Sequence, residues 1–201
     1  MNFLILEVSN NIEDREIIEK FLEGDIAYFD KLVLKYKQMV FNVCLKMLGD
    51  YEEALDVSQD IFLKVYESLK NFRFEAKFST YLYKITLNSC RSRLKALRRR
   101  KKIEYFSIDE PLETAEGKLK REFEGSRPNP KEVLEEKERQ SLVIKALFSL
   151  NPEYREILIL KDMEGLEYKE IAEILNINLG TVKSRLNRAR NILKEKLEKI
   201  L

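Results

Sequence analysis

Six side chains near the C-terminus are hydrogen-bond donors or cations and stand on one side of a predicted helix that opens at Leu179-Gly180-Thr181. Groups of these types suit base edges and phosphates in the major groove of DNA. The candidate readers are Thr181, Lys183, Ser184, Arg185, Asn187 and Arg188. The apolar residues between them recur at helical spacing and predict a buried stripe. That stripe comprises Leu179, Val182, Leu186, Ala189, Leu193 and Leu197.

A second short helix before the readers is needed to hold them against DNA. Tyr168 would begin this helix, and Ala172 would sit where the two backbones cross. Asn176-Ile177-Asn178 forms the turn, since Asn tolerates a left-handed backbone. An amphipathic helix with a solvated cationic face would explain the reader helix alone. The preceding helix and the short polar turn together favour a helix-turn-helix.

Three helices are predicted at the other end of the chain. The first covers Ile12 to Leu22, the second Ile26 to Leu48 with Gly49 at its end, and the third starts at Asp50. The third helix would bury Ala54, Val57, Ile61, Val65 and Leu69, and its outer side alternates acid, amide and apolar groups. This outer side is either a plain solvated face or a face that docks a partner. Its members are Asp56, Gln59, Asp60, Leu63 and Tyr66.

Five aromatic residues then fall between Phe72 and Tyr83, interleaved with Arg and Lys. Leu82 and Ile85 continue a helical stripe that would also bury Phe78. Two interpretations are open, because the rings can belong to the core or can stack on unpaired bases. A basic run follows without any acid, and it indicates either a phosphate-binding helix or a disordered cationic tail. The run comprises Arg91, Arg93, Lys95, Arg98, Arg99, Arg100, Lys101 and Lys102.

The composition narrows the classes of function. The chain has 201 residues with only 6 Gly and 4 Pro, which favours helices. Its net charge is only +2, so any nucleic-acid binding must come from local segregation of charge. It has no His, which excludes a His-based catalytic triad, and no metal-ligand cluster or phosphate-binding glycine loop. Cys44 and Cys90 are interpreted as small apolar residues. We therefore expect a non-enzymatic protein with no cofactor, no metal and no small-molecule substrate.

The opening segment MNFLILEV is too short and lacks the basic leader of a signal peptide, and no later segment is long enough to span a bilayer. These features predict a cytoplasmic protein without membrane insertion.

The segment DVSQDIFLKVYESLKNFRFEAKFSTYLYKITLNSCRSRL resembles the second conserved region of bacterial sigma factors, in the compact extracytoplasmic-function (ECF) group. Tyr81 stands where that family usually has Trp, and Phe74 where a small residue is common. The matched positions are Asp56, Gln59, Asp60, Phe72, Arg73, Phe78, Thr80, Tyr81, Leu82, Tyr83 and Asn88.

The segment GLEYKEIAEILNINLGTVKSRLNRAR is similar to the fourth region of the same family. Residues 103–130, between the two blocks, are acidic and interrupted by Pro and Gly, which is typical of a mobile linker. From Lys131, Val133, Leu134, Leu142, Val143, Ala146, Leu147 and Leu150 would form the apolar stripe of a further helix. The predicted fold is all-α, with two small helical domains at 1–102 and 131–201 joined by that flexible acidic linker.

The resemblance implies core RNA polymerase and promoter DNA as partners, with an anti-sigma factor as a common third. It implies polymerase binding by Asp56, Gln59, Asp60, Phe62 and Tyr66. Capture of melted bases of the −10 element would fall to Phe72, Arg73, Phe78, Thr80, Tyr81, Lys84, Asn88 and Arg91, and the C-terminal readers would recognise the −35 element. The alternatives are a stand-alone helix-turn-helix regulator, which would bind duplex DNA by itself, and a helical adaptor that docks proteins only.

Overall fold

The computed structural model describes residues 13–107 and 142–199, with the backbone alone for residues 101–107. Within these ranges the chain is helical and has no strand. Several predictions fall outside them: Ile12, Val133, Leu134, the side chains of Lys101 and Lys102, and residues 108–130 of the predicted linker. No helix in the described ranges is both long and apolar enough to cross a membrane.

The N-terminal half, residues 13–107, consists of four helices. They are α1 (13–22), α2 (Ala27–Leu48), α3 (Tyr51–Ser68) and α4 (Phe78–Ser107), with a 3-10 turn, Leu69–Asn71, after α3. The helix boundaries follow from local chemistry. Asp25 accepts a hydrogen bond from the Ala27 amide at 3.1 Å, and Asp50 caps α3 by accepting from the Glu53 amide at 2.9 Å. The α4 backbone continues into the predicted linker.

Gly49 ends α2 and is required there for two reasons. Its φ of 79° lies in the left-handed region, and an added Cβ would come within 2.9 Å of the Phe148 ring. Any other residue would therefore strain the backbone and push against that ring.

The N-terminal core lies between α2, α3 and α4. The five residues predicted to be buried on α3 are all buried, and so are Leu32, Val40 and Val43 of α2. Phe78, Leu82 and Leu87 complete the core from α4. The three-to-four spacing of apolar residues thus places one face of each helix inward, as predicted.

The C-terminal half, residues 142–199, has four further helices. They are α5 (142–148), α6 (Pro152–Leu158), α7 (Tyr168–Leu175) and α8 (Leu179–Glu198), with a π-helical turn, Ile159–Met163, after α6. Pro152 occupies the first turn of α6, where its missing N–H costs nothing. Two residues predicted to be buried are exposed: Val143 by 40% and Leu179 by 38%. Each lies near the start of its helix as described, where fewer neighbouring turns are available to cover it.

The two halves pack against each other. Helix α7 contacts α4, and α6 contacts α2. The Arg155 side chain of α6 is 5% exposed and donates hydrogen bonds to the Met47 carbonyl of α2 and to the Leu147, Phe148 and Leu150 carbonyls. Burial lowers the pKa of Arg155 to about 10, which still leaves the guanidinium charged near neutral pH. The Arg155 guanidinium thus donates hydrogen bonds to backbone carbonyls at the ends of α2 and α5, which have no partner within their own helices.

Candidate nucleic-acid interface

Helix α8 carries the predicted readers on its outer side. Val182, Leu186 and Ala189 are buried beneath it. Lys183, Ser184, Asn187 and Arg188 are exposed. Asn178 caps the helix by accepting hydrogen bonds from the Thr181 amide and hydroxyl, both at 2.8 Å, and Arg185 lies 3.7 Å from the Glu153 carboxylate. The exposed donors thus form a continuous strip, while Thr181 and Arg185 have partners within the chain.

The turn before α8 has the geometry that its residues predict. Asn176 adopts φ 52° and ψ 50°, and the Ile177 amide donates to the Ala172 carbonyl at 3.0 Å. Glu167 and Glu170 form a capping box at the start of α7. Ile171 and Ile174 bury the inner face of α7. These caps fix the length of each helix and therefore the angle at which α8 is presented.

A π-helical turn supports α8 from the other side. Its Asp162 accepts a bidentate hydrogen bond from Arg190, and this interaction raises the Arg190 pKa. Its Lys161 donates to the Leu166 carbonyl at 3.0 Å and lies 4.9 Å from the Tyr168 ring centre. Arg190 therefore ties α8 to the π-helical turn.

The aromatic stretch of the N-terminal half forms one ring cluster. The centre of the Phe72 ring lies 5.0 Å from those of Phe74 and Tyr81 and 6.0 Å from that of Phe78. Phe72 and Tyr81 are partly exposed, whereas Phe78 is 2% exposed and Thr80 is 3% exposed. The expectation that Phe78 and Thr80 contact bases directly does not fit this conformation. Both are covered by the helices packed on α4, and Phe78 supports the exposed rings from below.

Phe74 has an unusual backbone. Its φ is 57°, in the left-handed region that bulky side chains rarely adopt, and the Arg15 guanidinium lies 5.0 Å from its ring centre. The Phe74 ring also packs edge-on against the Phe72 ring.

Tyr81 and Asn88 line an open cleft of about 570 Å³ between α3 and α4. The Tyr81 hydroxyl lies 2.6 Å from the Ser68 hydroxyl, and Lys64 donates to the Ser89 hydroxyl at 3.1 Å. Sequence reasoning missed most of this lining, although Tyr81, Ile85, Asn88 and Ser92 recur at helical spacing. The lining residues are Lys64, Glu67, Ser68, Asn71, Tyr81, Ile85, Asn88, Ser89 and Ser92.

Three cations on one side of α4 and the loop before it are paired with acids of the C-terminal half. Lys77 contacts Glu170 at 3.0 Å and Lys84 contacts Glu173 at 3.7 Å. The third cation, Arg91, donates from Nε to Glu156 at 2.8 Å. Glu156 is 1% exposed, and burial raises its pKa even though Arg91 opposes the shift. The sequence contains no local signal for these pairs.

The outer side of α3 is open. Asp56, Gln59 and Asp60 are exposed, as are Leu63 by 65% and Tyr66 by 43%, while Phe62 is half-buried. The Tyr66 ring packs edge-on against Phe29, with centres 5.1 Å apart, and this contact fixes its orientation. Acidic, amide and aromatic groups are therefore presented together on a rigid helix.

The two cysteines lie opposite each other in the core. Cys44 and Cys90 are buried free thiols with their sulfur atoms 3.7 Å apart, and the Cys44 hydrogen bond and burial raise the pKa of Cys90. In the part of the chain that the structure describes, no group of His, Cys, Asp and Glu could hold a metal ion.

Two protein-family descriptions match the chain: Sigma-70 region 2 over residues 32–100 and Sigma-70, region 4 over residues 134–193. The first covers the ring cluster, the cleft and the outer side of α3, and the second covers the helix-turn-helix.

Solved structures support the same architecture. The structure of CnrH in complex with the cytosolic domain of CnrY matches with a TM-score of 0.65 and 20% identity, covering 92% of this chain and 97% of that one. The sigma factor RpoE of Bartonella quintana, solved with the anti-sigma factor NepR, matches with a TM-score of 0.63 and 24% identity over 85% and 96% of the two chains. At 20% and 24% sequence identity, the similarity to these two structures shows a shared fold.

Whole-length relatives have higher identity. The chain is 32% identical to the RNA polymerase sigma-H factor of Pseudomonas aeruginosa, covering 94% of this chain and 96% of that protein. It is 32% identical to the ECF RNA polymerase sigma factor SigW of Bacillus subtilis, with coverages of 90% and 94%. It is 30% identical to the ECF RNA polymerase sigma-E factor of Escherichia coli K12, with coverages of 96% and 99%. A family-typical region 2 and region 4 in one chain, with relatives that match along nearly its whole length, place this protein in the ECF group of the RNA polymerase sigma factors.

Proposed function

We propose that this sigma factor divides promoter recognition between its two halves. Helix α8 reads the −35 element as a duplex. The major groove of DNA admits an α-helix, and the exposed strip of α8 carries hydrogen-bond donors and cations. Lys183, Asn187 and Arg188 are the principal readers, with Ser184 beside them. Thr181 and Arg185 become available once their partners Asn178 and Glu153 release them.

The cleft beside Tyr81 receives an unpaired base of the −10 element. The Tyr81 ring supplies a stacking surface, and Asn88, Ser68 and Lys64 supply hydrogen-bonding groups around it. Phe72 and Arg73 extend this surface, and Lys84 and Arg91 contact the phosphate backbone. Trapping an extruded base offsets part of the cost of unstacking it, so that melting becomes selective for bases that fit. Phe78 and Thr80 support this site from the core.

The outer side of α3 docks core RNA polymerase. Asp56, Gln59 and Asp60 provide polar contacts, while Tyr66 and the half-buried Phe62 provide an apolar anchor, a combination typical of protein interfaces. An anti-sigma factor is a further partner. RpoE, one of the solved neighbours, was captured with the anti-sigma factor NepR, and CnrH was captured with the cytosolic domain of CnrY. The protein acts in the cytoplasm as a binding factor, without a cofactor or a catalytic group of its own.

One observation carries this proposal. An exposed donor-bearing recognition helix and an aromatic, cationic cleft occur in one chain that matches ECF sigma factors along nearly its full length. A stand-alone helix-turn-helix regulator would need only the first of these features, and the relatives do not favour it.

The deciding experiment mixes the purified chain with bacterial core RNA polymerase, first without DNA and then in run-off transcription on genomic fragments. We expect a stable complex and new start sites. Duplex DNA binding by the free chain without any association with polymerase would overturn the proposal in favour of the regulator.

The same assay tests the −35 reader. We expect Arg188→Ala to weaken promoter recognition by about 1–3 kcal/mol while polymerase binding stays unchanged. Lys194→Ala is the matched control, since Lys194 lies on the same helix with its side chain 75% exposed and pairs with Glu198. Loss of polymerase binding in Arg188→Ala would contradict the assigned roles.

A further inference from the structure

The recognition helix α8 opens with a leucine that the fold leaves in solvent. Leu179 is 38% exposed, whereas Ile177 before it packs against the hydrophobic core and Val182 after it is fully buried. A single exposed leucine is ordinary on a protein surface and has no meaning by itself. The position of Leu179 relative to the proposed −35 readers therefore decides what its exposure means.

Leu179 lies in the same row of α8 as two of those readers. Residues four apart on a helix are neighbours on one face, so Lys183 and Asn187 follow Leu179 along this row, and both are exposed. In a helix-turn-helix, the N-terminal residues of the recognition helix contact base edges in the major groove. Leu179 thus stands at the end of the row where a base edge is expected, and it is the apolar member of the row.

The polar side chain in the first turn of α8 is already engaged. Asn178 Oδ1 accepts hydrogen bonds from the Thr181 amide and from the Thr181 hydroxyl, both at 2.8 Å. Gly180 has no side chain, and a Cβ built on it would meet only Asn178 Oδ1, at 3.5 Å. The space beside Leu179 is therefore open, and the side chain that this turn presents to DNA is apolar.

The major groove of DNA has one edge group that suits such a side chain. Guanine, adenine and cytosine present hydrogen-bond donors and acceptors there, whereas thymine adds a C5-methyl group to its single acceptor. A leucine placed against the polar edges would remove water from donors and acceptors without replacing their hydrogen bonds, which is unfavourable. A leucine placed against the methyl group removes apolar surface from water on both sides.

We propose that Leu179 contacts the C5-methyl group of a thymine in the −35 element and so determines which base is accepted at that position. This inference rests on the proposed function, because it adds a base contact to the −35 reader α8. Burial of one methyl group corresponds to about a fourfold change in affinity. Lys183 and Asn187 remain the hydrogen-bonding readers further along the same row.

The test uses holoenzyme, formed from the full chain and core RNA polymerase, and a duplex of the strongest promoter found in the run-off assay. Each thymine of the −35 segment is replaced singly by deoxyuridine, which lacks only the C5-methyl group. Competition with the unmodified duplex, followed by fluorescence anisotropy, gives the relative affinities. The variants are Leu179→Ala, Leu179→Met and Lys183→Ala. Leu34→Ala is the matched control, since Leu34 is a leucine of α2 that is 64% exposed.

We expect one deoxyuridine to weaken binding by the wild type about fourfold. Leu179→Ala should bind the unmodified duplex with a similar loss and be insensitive to that deoxyuridine. Leu179→Met, which keeps an apolar side chain, should retain the deoxyuridine penalty, and so should Lys183→Ala although its binding is weaker. Leu34→Ala should match the wild type. A penalty that survives in Leu179→Ala would overturn the proposal, as would a −35 element in which no thymine methyl group matters.

Binding of the same variants to core polymerase without DNA separates base contact from protein contact. We expect Leu179→Ala to bind polymerase like the wild type, and a loss would assign Leu179 to a protein interface and overturn the proposal. Failure of the proposed function has a different appearance, because a chain that does not direct initiation yields no promoter in the run-off assay. Failure of this inference alone leaves promoter recognition intact but independent of thymine methyl groups.

Discussion

Replacing Arg155 with Met should destabilise the protein more than the loss of any surface charge. Its guanidinium donates to carbonyls on both sides of the interface: Met47 on α2, and Leu147, Phe148 and Leu150 around the end of α5. Three of these four hydrogen bonds are buried, and the one to Phe148 is part-buried. Methionine fills much of the same volume but donates nothing, so the Met47 and Leu150 carbonyls lose their buried partner, whereas the Leu147 carbonyl still accepts from the Leu150 amide at 3.1 Å.

The magnitude follows from the buried acceptors. An unsatisfied buried carbonyl costs roughly 1–3 kcal/mol, and the two buried carbonyls left without a partner, those of Met47 and Leu150, bound the loss between roughly 2 and 6 kcal/mol. Local relaxation and entry of water favour the lower part of this range. Removal of the buried charge of Arg155 offsets a further part of the loss in free energy of unfolding. We therefore expect the free energy of unfolding to fall by about 2–4 kcal/mol.

Urea unfolding followed by far-ultraviolet circular dichroism measures this loss. The control is Arg190→Met, because the Arg190 and Asp162 side chains are 50% and 38% exposed and such pairs contribute at most about 1 kcal/mol. An Arg155→Met protein within about 1 kcal/mol of the wild type would refute this account of the interface.

Three further predictions concern separate parts of the molecule. Asp56→Ala should lower the affinity for core polymerase in a binding titration without changing −35 duplex binding, and an unchanged polymerase affinity would contradict the docking role. Tyr81→Ala should abolish permanganate reactivity of the melted promoter while a closed complex still forms, and an intact footprint would count against base capture. Burial and the hydrogen bond to Asp14 raise the Tyr36 pKa, so the folded phenol stays neutral. Its contribution to stability is therefore complete below pH about 10 and declines as pH rises further. In urea unfolding above pH about 10, the free energy of unfolding of Tyr36→Phe should fall less steeply with pH than that of the wild type. An equal fall in the two proteins would exclude Tyr36 as a source of this pH dependence.

The parts of the fold that could be predicted from the sequence depend on neighbouring residues. Asp50 caps α3, Gly49 ends α2, and Asn176 takes the left-handed turn before α8, because each conformation is set by the side chain at that position or within one turn of it. The apolar spacing of α3 likewise determines which of its faces is buried. The exposed strip of α8 follows from the same periodicity.

The features that could not be predicted depend on pairs distant in the chain. Arg91 and Glu156 are 65 residues apart, and Lys46 and Glu164 are 118 apart, so no local spacing brings them together. For the same reason the sequence left open whether Phe78 was a stacking ring or a core residue. Only the packing of α2 and α3 on α4 decides that it is buried.

The small net charge of +2 has a structural explanation in the ion pairs between the two halves. Lys77, Lys84 and Arg91 are balanced by Glu170, Glu173 and Glu156 on α7 and α6. Lys183 and Arg188, in contrast, are exposed on the outer strip of α8. A chain with little net charge can therefore still present local positive charge to DNA, because its acids lie on other faces.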